Sequence, residues 1–347
     1  MASLRSKLTN TLVRVFMRLR PTSGSLQDFC RQYDRLDARK RGKLAPGVTR
    51  REINDPLNGR WLEHANSDRQ KVILYLHGGA FIMRLPESHS QMVSRLCDLS
   101  GRSAFLPWYR LAPDHPFPAA LEDCLAAYQY LLRNHSPDQI VVMGDSAGAN
   151  LTLCLLNMIK QKQLPMPSAA VALSPITDFS QISATWMMHS WRDPMFPIQS
   201  LVSPQQHYLQ GEHLRDALAS PVFGDLKQLP PTLLVVGGDE ALRDDSLVYT
   251  HKALEAGVDI QLHIWQGMPH VHMLMDFLPE AALAEKAVVR WLAELPRRPQ
   301  AALSAWRHAV HLFNRKPISG QLQHQINGEA VYNPTPTKPT GTVPCSD

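Results

Sequence analysis

The sequence predicts an α/β protein with a mostly parallel central sheet and helices on both of its faces. Two observations predict this class. From about residue 71, short β-branched segments of nearly continuous apolar character alternate with segments that carry an apolar stripe at helical spacing. Strands that are apolar on both faces are typical of a parallel sheet covered on both sides, and helical crossovers connect parallel strands.

The individual elements follow from the same patterns. The strand-like segments lie at 71–76, 103–108, 139–143, 169–173, 232–236 and 259–265. The helical segments lie at 118–133, 147–160 and 246–256, and the last of them stops at Gly257. Two earlier segments, 50–54 and 60–63, predict a pair of antiparallel strands ahead of the parallel ones.

Two regions interrupt the alternation and predict a domain organisation. The α/β core is expected at 46–177 and 223–295. Residues 1–45 predict N-terminal cap helices, and 178–222 a cap insertion, which together would cover the carboxyl edge of the sheet. Residues 296–347 predict a C-terminal extension that is partly disordered, because 333–347 is rich in proline and threonine.

Charge and cysteine usage exclude several classes of function. The net charge of +5 comes from the two ends, since residues 1–20 contain five basic and no acidic residues, and 297–347 contain six basic and two acidic ones. The body between them is net negative, which excludes a phosphate-tracking face and hence nucleic acid. The 5 scattered cysteines predict neither disulfides nor a zinc site. No signal peptide or membrane span is evident, so a cytoplasmic location is expected.

The segment Gly144-Asp145-Ser146-Ala147-Gly148 carries the clearest chemical signal. It matches G-x-S-x-G between a strand and a helix, a tight turn beside which only small residues fit. The helix N-terminus then directs free N–H groups toward a developing oxyanion. A glycine-rich helix start with a capping serine would explain the five residues alone. The strand before them and the helix after them favour Ser146 as a nucleophile.

A serine nucleophile needs a base, and the base needs an acid that fixes its tautomer. Two histidines, His270 and His272, follow the late strand at 259–265, and only one of them can be the base. The loop after the strand at 232–236 supplies acids, of which Asp239 and Glu240 lie nearest the strand end. The residues themselves leave both choices open.

An oxyanion hole is expected where His77-Gly78-Gly79-Ala80-Phe81 follows the strand at 71–76. Consecutive glycines let backbone N–H groups approach a substrate oxygen closely. With the N–H of Ala147, the candidate donors are Gly78, Gly79 and Ala147. A plain glycine turn would explain the two glycines but not their occurrence together with the Ser146 turn.

Taken together, the motifs resemble the hormone-sensitive-lipase-like esterases, over a match from about Lys71 to Trp291. The segments that carry the resemblance are His77-Gly78-Gly79-Ala80-Phe81, Tyr109-Arg110-Leu111-Ala112-Pro113, Pro116-Phe117-Pro118-Ala119-Ala120, Gly144-Asp145-Ser146-Ala147-Gly148, Ser174-Pro175 and the acidic run Asp239–Asp245. Several motifs in the family's order make the match specific.

The resemblance implies an α/β-hydrolase fold with a helical cap, no cofactor or metal, and a carboxylic ester hydrolase acting on short- to medium-chain acyl esters. It implies a triad of Ser146, His270 and Glu240 that works through an acyl-enzyme, since Glu240 falls on the family's acid position. Asp145 is expected to fix the cap or the Gly78–Gly79 loop, and Arg110 with Asp123 to form an internal ion pair.

The chain departs from the family pattern at three places. Ala80 replaces a third glycine, and Arg84 stands where a small residue is frequent, so the acyl or alcohol pocket is expected to carry a charge. The extension beyond Pro296 has no counterpart in the pattern.

Two rival functions are open. An amidase or arylformamidase would share the triad and the oxyanion loop. A non-catalytic small-molecule receptor on the same fold would lack the base, so the presence of His270 disfavours it.

Apolar residues at helical spacing with basic neighbours occur near both ends, and they raise the question of partners. They are Leu8, Leu12, Val15, Phe16 and Leu19 at one end, and Leu303, Trp306, Val310 and Phe313 at the other. Basic amphipathic helices can lie on anionic membranes or lipid. Packing against the cap, the core or a second copy in a homodimer is the simpler explanation.

Overall fold

The computed structural model describes residues 3–19, 26–180, 193, 206–295, 310–313, 325–326 and 329–331. The strands of these residues are β1 (Val48–Ile53), β2 (Gly59–His64), β3 (Asp68–Leu76), β4 (Arg102–Pro107), β5 (Ile140–Asp145), β6 (Ala169–Leu173), β7 (Thr232–Gly237), β8 (Ile260–Trp265), β9 (Val310–Phe313), β10 (Gln325–Ile326) and β11 (Glu329–Val331). They form one sheet in the order β1-β2-β4-β3-β5-β6-β7-β8-β9-β11-β10.

The middle of the sheet is parallel and its two edges are antiparallel. Every neighbouring pair from β4 to β9 is parallel. At one edge β1 pairs antiparallel with β2, and β2 with β4. At the other edge β11 runs antiparallel to both β9 and β10. The mostly parallel sheet and the early antiparallel strands that the sequence predicts are therefore confirmed.

Helices cover both faces of the sheet. The helices of the described residues are α1 (Leu4–Leu19), α2 (Leu26–Ala38), α3 (Pro86–Ser100), α4 (Ala119–Leu131), α5 (Ala147–Gln161), α6 (Arg243–Glu255) and α7 (Pro279–Glu294). Alternate side chains of β3 divide between two cores, as the pleat requires. Val72 and Leu74 pack with residues of α4 and α5, whereas Ile73 and Tyr75 pack with residues of α3 and α7.

The N-terminal helices are fastened to the core by polar contacts. The buried carboxylate of Asp37, in α2, accepts hydrogen bonds from the N–H groups of Glu87 (2.9 Å) and Ser88 (2.8 Å) at the start of α3. An acid at this position satisfies N–H groups that have no partner within their own helix and stabilises the positive end of its dipole. The described part of residues 1–45 thus contains the two helices α1 and α2, followed by turns and loop at 39–45, and their role as a cap stays a prediction.

The C-terminal part differs from the sequence-based expectation. Val310 and Phe313, which fall at helical spacing, lie instead in the strand β9, which adds to the sheet beside β8. The amphipathic-helix interpretation of this segment is wrong at these residues, because Val310 is buried against the sheet rather than exposed on a helix face. Leu303, Trp306 and the predicted tail at 333–347 lie outside the described residues.

Most of the predicted cap insertion also lies outside the described residues, so the division at 178–222 and 296 stays a prediction. Where the structure describes helices, none combines the length and the apolar character that crossing a membrane requires. The loops that follow β3, β5, β7 and β8 all leave the sheet at its carboxyl edge, where parallel strands gather the residues of a site.

Candidate active site

Ser146 occupies a strained turn between β5 and α5. Its backbone angles are φ 54° and ψ −119°, a sparsely populated region that costs on the order of 1–3 kcal/mol and is characteristic of functional sites. The Ser146 N–H donates to the Leu173 carbonyl at 2.8 Å, which ties the turn to β6. A Cβ at Gly148 would lie 1.9 Å from the Leu76 carbonyl oxygen, so only glycine allows this approach.

Asp145 is a buried structural anchor beside Ser146. Its carboxylate accepts hydrogen bonds from the Tyr75 hydroxyl (2.8 Å) and the Gly78 N–H (2.9 Å), and it pairs with His89 Nε2 at 3.1 Å. Burial alone would lower the pKa of His89, but the charge and hydrogen bond of Asp145 outweigh it and raise this pKa. Burial likewise opposes ionisation of Asp145, yet His89 and the other donors hold its pKa below the ordinary value. The expectation that Asp145 fixes the Gly78–Gly79 loop is confirmed.

We expect Asp145→Asn to destabilise the protein in a pH-dependent way. Breaking a buried ion pair costs about 3 kcal/mol or more, because the remaining charge is left buried. The contribution of His89 is fully present below its ordinary pKa of 6.5 and is lost as the pH rises through the raised value. The contribution of Asp145 is present above its ordinary pKa of 3.8 and is lost as the pH falls through the lowered value.

The loss of unfolding free energy should therefore be largest between about pH 4 and pH 6.5, measured by urea denaturation across this range. Asp123→Asn is the matched control, since Asp123 pairs with Arg110 at 2.8 Å but both are partly exposed. That variant should lose less than about 1 kcal/mol. Equal losses in the two variants, or a loss in Asp145→Asn that is independent of pH, would contradict the role given to the buried pair.

The loop after β3 presents a different set of donors from the predicted one. The Gly78 N–H is engaged by Asp145, so the assignment of Gly78 as an oxyanion donor is not supported. A Cβ at Gly78 would lie 2.2 Å from the Asp145 carboxylate, which explains the glycine. Across the described residues, no acceptor is found for the N–H groups of Gly79, Ala80 or Ala147. These three are the better candidates.

His77 supports this loop through a buried ring contact. Its ring stacks on Tyr109 at a centroid distance of 4.1 Å, and the Tyr109 hydroxyl donates to the His77 carbonyl at 2.6 Å. Burial, reinforced by the charge of His89, lowers the pKa of His77 to about 3, so the ring is neutral at neutral pH. Asp145 and Tyr109 therefore both hold the loop in place, through hydrogen bonds to Gly78 and His77.

Glu240 and His270 come together at the carboxyl ends of β7 and β8. Glu240 Oε2 lies 3.8 Å from His270 Nδ1, and both side chains are almost fully buried. The same Oε2 atom accepts hydrogen bonds from the Ser174 hydroxyl (2.8 Å) and the Gly237 N–H (3.0 Å). Ser174 Oγ in turn accepts the Val271 N–H at 3.1 Å, so one serine links the acid to the histidine loop.

The sequence left Asp239 open as the acid and His272 as the base, and the structure places both less favourably than Glu240 and His270. Asp239 is half-buried, and its N–H donates to the Met268 carbonyl at 3.2 Å, whereas Glu240 is fully buried beside His270. His272 is buried in a short 3-10 turn, where burial lowers its pKa to about 3. The proximity of Glu240 Oε2 to His270 Nδ1 favours His270 as the base.

Sequence reasoning did not assign roles to two residues that support the acid. Ser174 was part of a family motif only, and no local pattern indicates that it bridges two loops. Asp193, which lies in the predicted cap insertion, accepts the N–H of Ala241 at 2.8 Å and is buried. The role of Asp193 could not be predicted, because a single aspartate in a segment without periodicity does not stand out in the sequence.

A cleft of about 460 Å³ has Arg84 in its lining. Its lining residues are Asn58, Arg84, Trp108, Arg110, Leu111, Asp114 and His115. The half-buried Arg84 donates to the carbonyl oxygens of Trp108 and Tyr109, and the expectation that it charges the acyl or alcohol pocket stays a prediction. Arg110 forms the expected pair with Asp123, but on the surface rather than internally. Within the described ranges, no group of three or more His, Cys, Asp or Glu side chains could hold a metal ion.

Known proteins share this arrangement of sequence and fold. A family model described as the alpha/beta hydrolase fold matches residues 73–274. An acetyl-hydrolase of Streptomyces hygroscopicus is 38% identical over 226 residues, which are 65% of this chain and 75% of that protein. The carboxylesterase/phospholipase LipF of Mycobacterium tuberculosis is 32% identical over 72% of this chain and 70% of its own.

A solved structure agrees in three dimensions. The crystal structure of an esterase from the bacterial hormone-sensitive lipase family superposes with a TM-score of 0.79 at 31% identity. The superposition covers 85% of this chain and 99% of that one.

Proposed function

The chain belongs to the α/β-hydrolase family and, within it, to the esterases that resemble hormone-sensitive lipase, and on this basis we propose how it hydrolyses esters. The protein is a hydrolase of the carboxylesterase and lipase type. We propose that Ser146 attacks short- to medium-chain acyl esters with His270 as base and Glu240 as acid. The observation that carries this proposal is the strained turn at Ser146, combined with the buried pair of Glu240 and His270.

The first half of the reaction forms the acyl-enzyme. His270 takes the proton of the Ser146 hydroxyl while Oγ bonds to the ester carbonyl carbon, and the carbonyl oxygen becomes an oxyanion. The N–H groups of Gly79, Ala80 and Ala147 stabilise this oxyanion, each donor contributing about 2.7–4 kcal/mol to lowering the barrier. The bond to the alcohol then breaks, and His270 returns the proton to the departing alkoxide.

The second half reverses these roles with water. His270 takes a proton from a water molecule, whose oxygen attacks the acyl carbon of the ester on Ser146. When the tetrahedral intermediate collapses, the proton returns to Ser146 Oγ and the carboxylic acid leaves. The task of Glu240 is to hold the His270 tautomer and to stabilise the imidazolium. Its hydrogen bonds to Ser174 and Gly237 support that task by fixing the carboxylate.

A series of p-nitrophenyl esters from acetate to palmitate tests the substrate class, with N-formylkynurenine as the rival substrate. We expect kcat/KM to be highest between the C2 and C8 esters and to fall by about tenfold or more at C16. N-formylkynurenine should be hydrolysed far more slowly. A higher kcat/KM on N-formylkynurenine would favour an arylformamidase instead, and a rate that rises steadily to C16 would favour a long-chain lipase.

A further inference from the structure

The N-terminal helix α1 has two faces with different roles, and the inner one is attached to the body of the protein. Ser3 and Ser6 donate hydrogen bonds to the Glu280 carboxylate, including one from Ser6 Oγ at 2.6 Å. Asn10 Nδ2 donates to the Gly267 carbonyl at 2.8 Å. These side chains recur at helical spacing, so they mark one face of α1 that is held against α7 and the loop before His270.

The opposite face exposes apolar side chains. Leu8 is 62% exposed, Leu12 60% and Val15 48%. At about 100° per residue around the helix axis, these three lie within a sector of roughly 60°. The centre of that sector is roughly 180° from the centre of the face formed by Ser3, Ser6 and Asn10. The exposed stripe is therefore the outward face of a helix whose inward face is already satisfied.

The charges around this stripe are all of one sign. Residues 1–20 contain five basic and no acidic residues, as noted above. Arg5 and Lys7 are exposed, and their positions around the helix axis lie on either side of the apolar stripe. An apolar stripe with basic borders and no acid is what distinguishes a helix that lies in the surface of an anionic bilayer.

We propose that the outward face of α1 docks the protein on an anionic lipid bilayer, with Leu8, Leu12 and Val15 inserted and the basic side chains at the headgroups. Charge selects this occupant over a second copy of the chain. Two α1 helices packed through this face would bring the exposed Arg5 and Lys7 of both copies together, with no acid in residues 1–20 to offset them. The anchoring of α1 beside the His270 loop would place the carboxyl edge of the sheet, where Ser146 lies, close to the lipid.

Co-sedimentation of the full chain with vesicles tests this proposal independently of hydrolysis. We expect the parent protein to bind vesicles of phosphatidylcholine with phosphatidylglycerol, and to bind phosphatidylcholine alone much more weakly. Raising the salt concentration should weaken binding to the anionic vesicles, because the headgroup attraction is screened. The double variant Leu8→Ser, Leu12→Ser should lower the partition coefficient at least about tenfold.

The matched control removes apolar side chains of similar exposure elsewhere. Leu99, in α3, is 40% exposed and Val248, in α6, is 50% exposed. The variant Leu99→Ser, Val248→Ser should bind vesicles like the parent, and both double variants should hydrolyse soluble p-nitrophenyl butyrate at the parent rate. Absence of parent binding to anionic vesicles, or equal binding of the Leu8→Ser, Leu12→Ser variant, would overturn the proposal. So would a parent dimer that this variant converts to a monomer in sedimentation velocity, since the face would then bind a second copy.

Discussion

Ser146→Ala is expected to lower kcat for ester hydrolysis by about 10⁵–10⁶-fold, the largest effect of any single substitution in the chain. The hydroxyl is the atom that bonds to the acyl carbon, and neither His270 nor the oxyanion donors can form an acyl-enzyme without it. Stability should change little. The strain of the turn belongs to the backbone at φ 54°, which alanine shares with serine, and no side-chain hydrogen bond of Ser146 holds the described structure together.

The measurement is p-nitrophenyl butyrate hydrolysis, with circular dichroism melting to confirm the fold and a fluorophosphonate probe to report the nucleophile. Ser168→Ala is a matched control. Ser168 directly precedes β6, at the end of that strand opposite to Leu173 and the Ser146 turn, and its hydroxyl donates to the Ile140 carbonyl at 2.7 Å. This control should keep parent activity and probe labelling. Ester hydrolysis or probe labelling that survives Ser146→Ala in a folded protein would remove Ser146 from the mechanism.

The parallel core was predictable because strands that are apolar on both faces are stable only where helices cover both sides of the sheet. The six predicted strands from 71 to 265 match β3 to β8 to within about three residues at each end. A run such as the one at 169–173 is buried on both faces, so a continuous apolar segment is compatible with the middle of a covered sheet and with little else. The Ser146 turn was predictable for a related reason, since its geometry depends on neighbouring small residues and not on distant partners.

Helix α3 was not predicted from periodicity, because the buried residues of its first half are polar and its apolar ones, Met92, Val93, Leu96 and Cys97, form only a short stripe. Ser90 and His89 are buried without giving an apolar stripe. Their partners lie far away in the chain: Arg60 Nη1 donates to Ser90 Oγ at 2.7 Å, and His89 pairs with Asp145. Because buried polar residues with distant partners interrupt the apolar stripe, the remaining local pattern is too short to predict the helix.

The same dependence on distant residues explains two of the corrections. Two glycines in sequence indicate an oxyanion loop, but which N–H is available depends on where the carboxylate of Asp145 lies, 67 residues further along the chain. Val310 and Phe313 satisfy helical spacing, yet the free edge of β8 offers backbone partners that convert the segment into β9. In both cases the local sequence pattern is present, but hydrogen bonds to residues distant in the chain determine the structure that the segment adopts.

Glu240→Gln is expected to lower kcat by about 10³–10⁴-fold with a small change in stability, and Asp239→Asn by less than about threefold. The two variants form a matched pair, because each replaces a carboxylate by its amide at adjacent positions of one loop. The glutamine at 240 would keep the side-chain volume and could still accept the Ser174 and Gly237 hydrogen bonds through its amide oxygen. It would lose the negative charge 3.8 Å from His270 Nδ1, and with it the stabilisation of the imidazolium.

Steady-state kinetics on p-nitrophenyl butyrate distinguish this assignment from its alternatives. Because the acid acts in the transition state, the loss in Glu240→Gln should appear in kcat with KM nearly unchanged. The reverse order of losses would make Asp239 the acid, which would require the half-buried loop to rearrange toward His270. Equal, small losses in both variants would mean that the carboxylate at 240 only anchors Ser174, and that His270 works without a charged partner. The buried position of Glu240, against the partial exposure of Asp239, favours the first outcome, since the charge of an acid orients an imidazolium most strongly where water does not screen it.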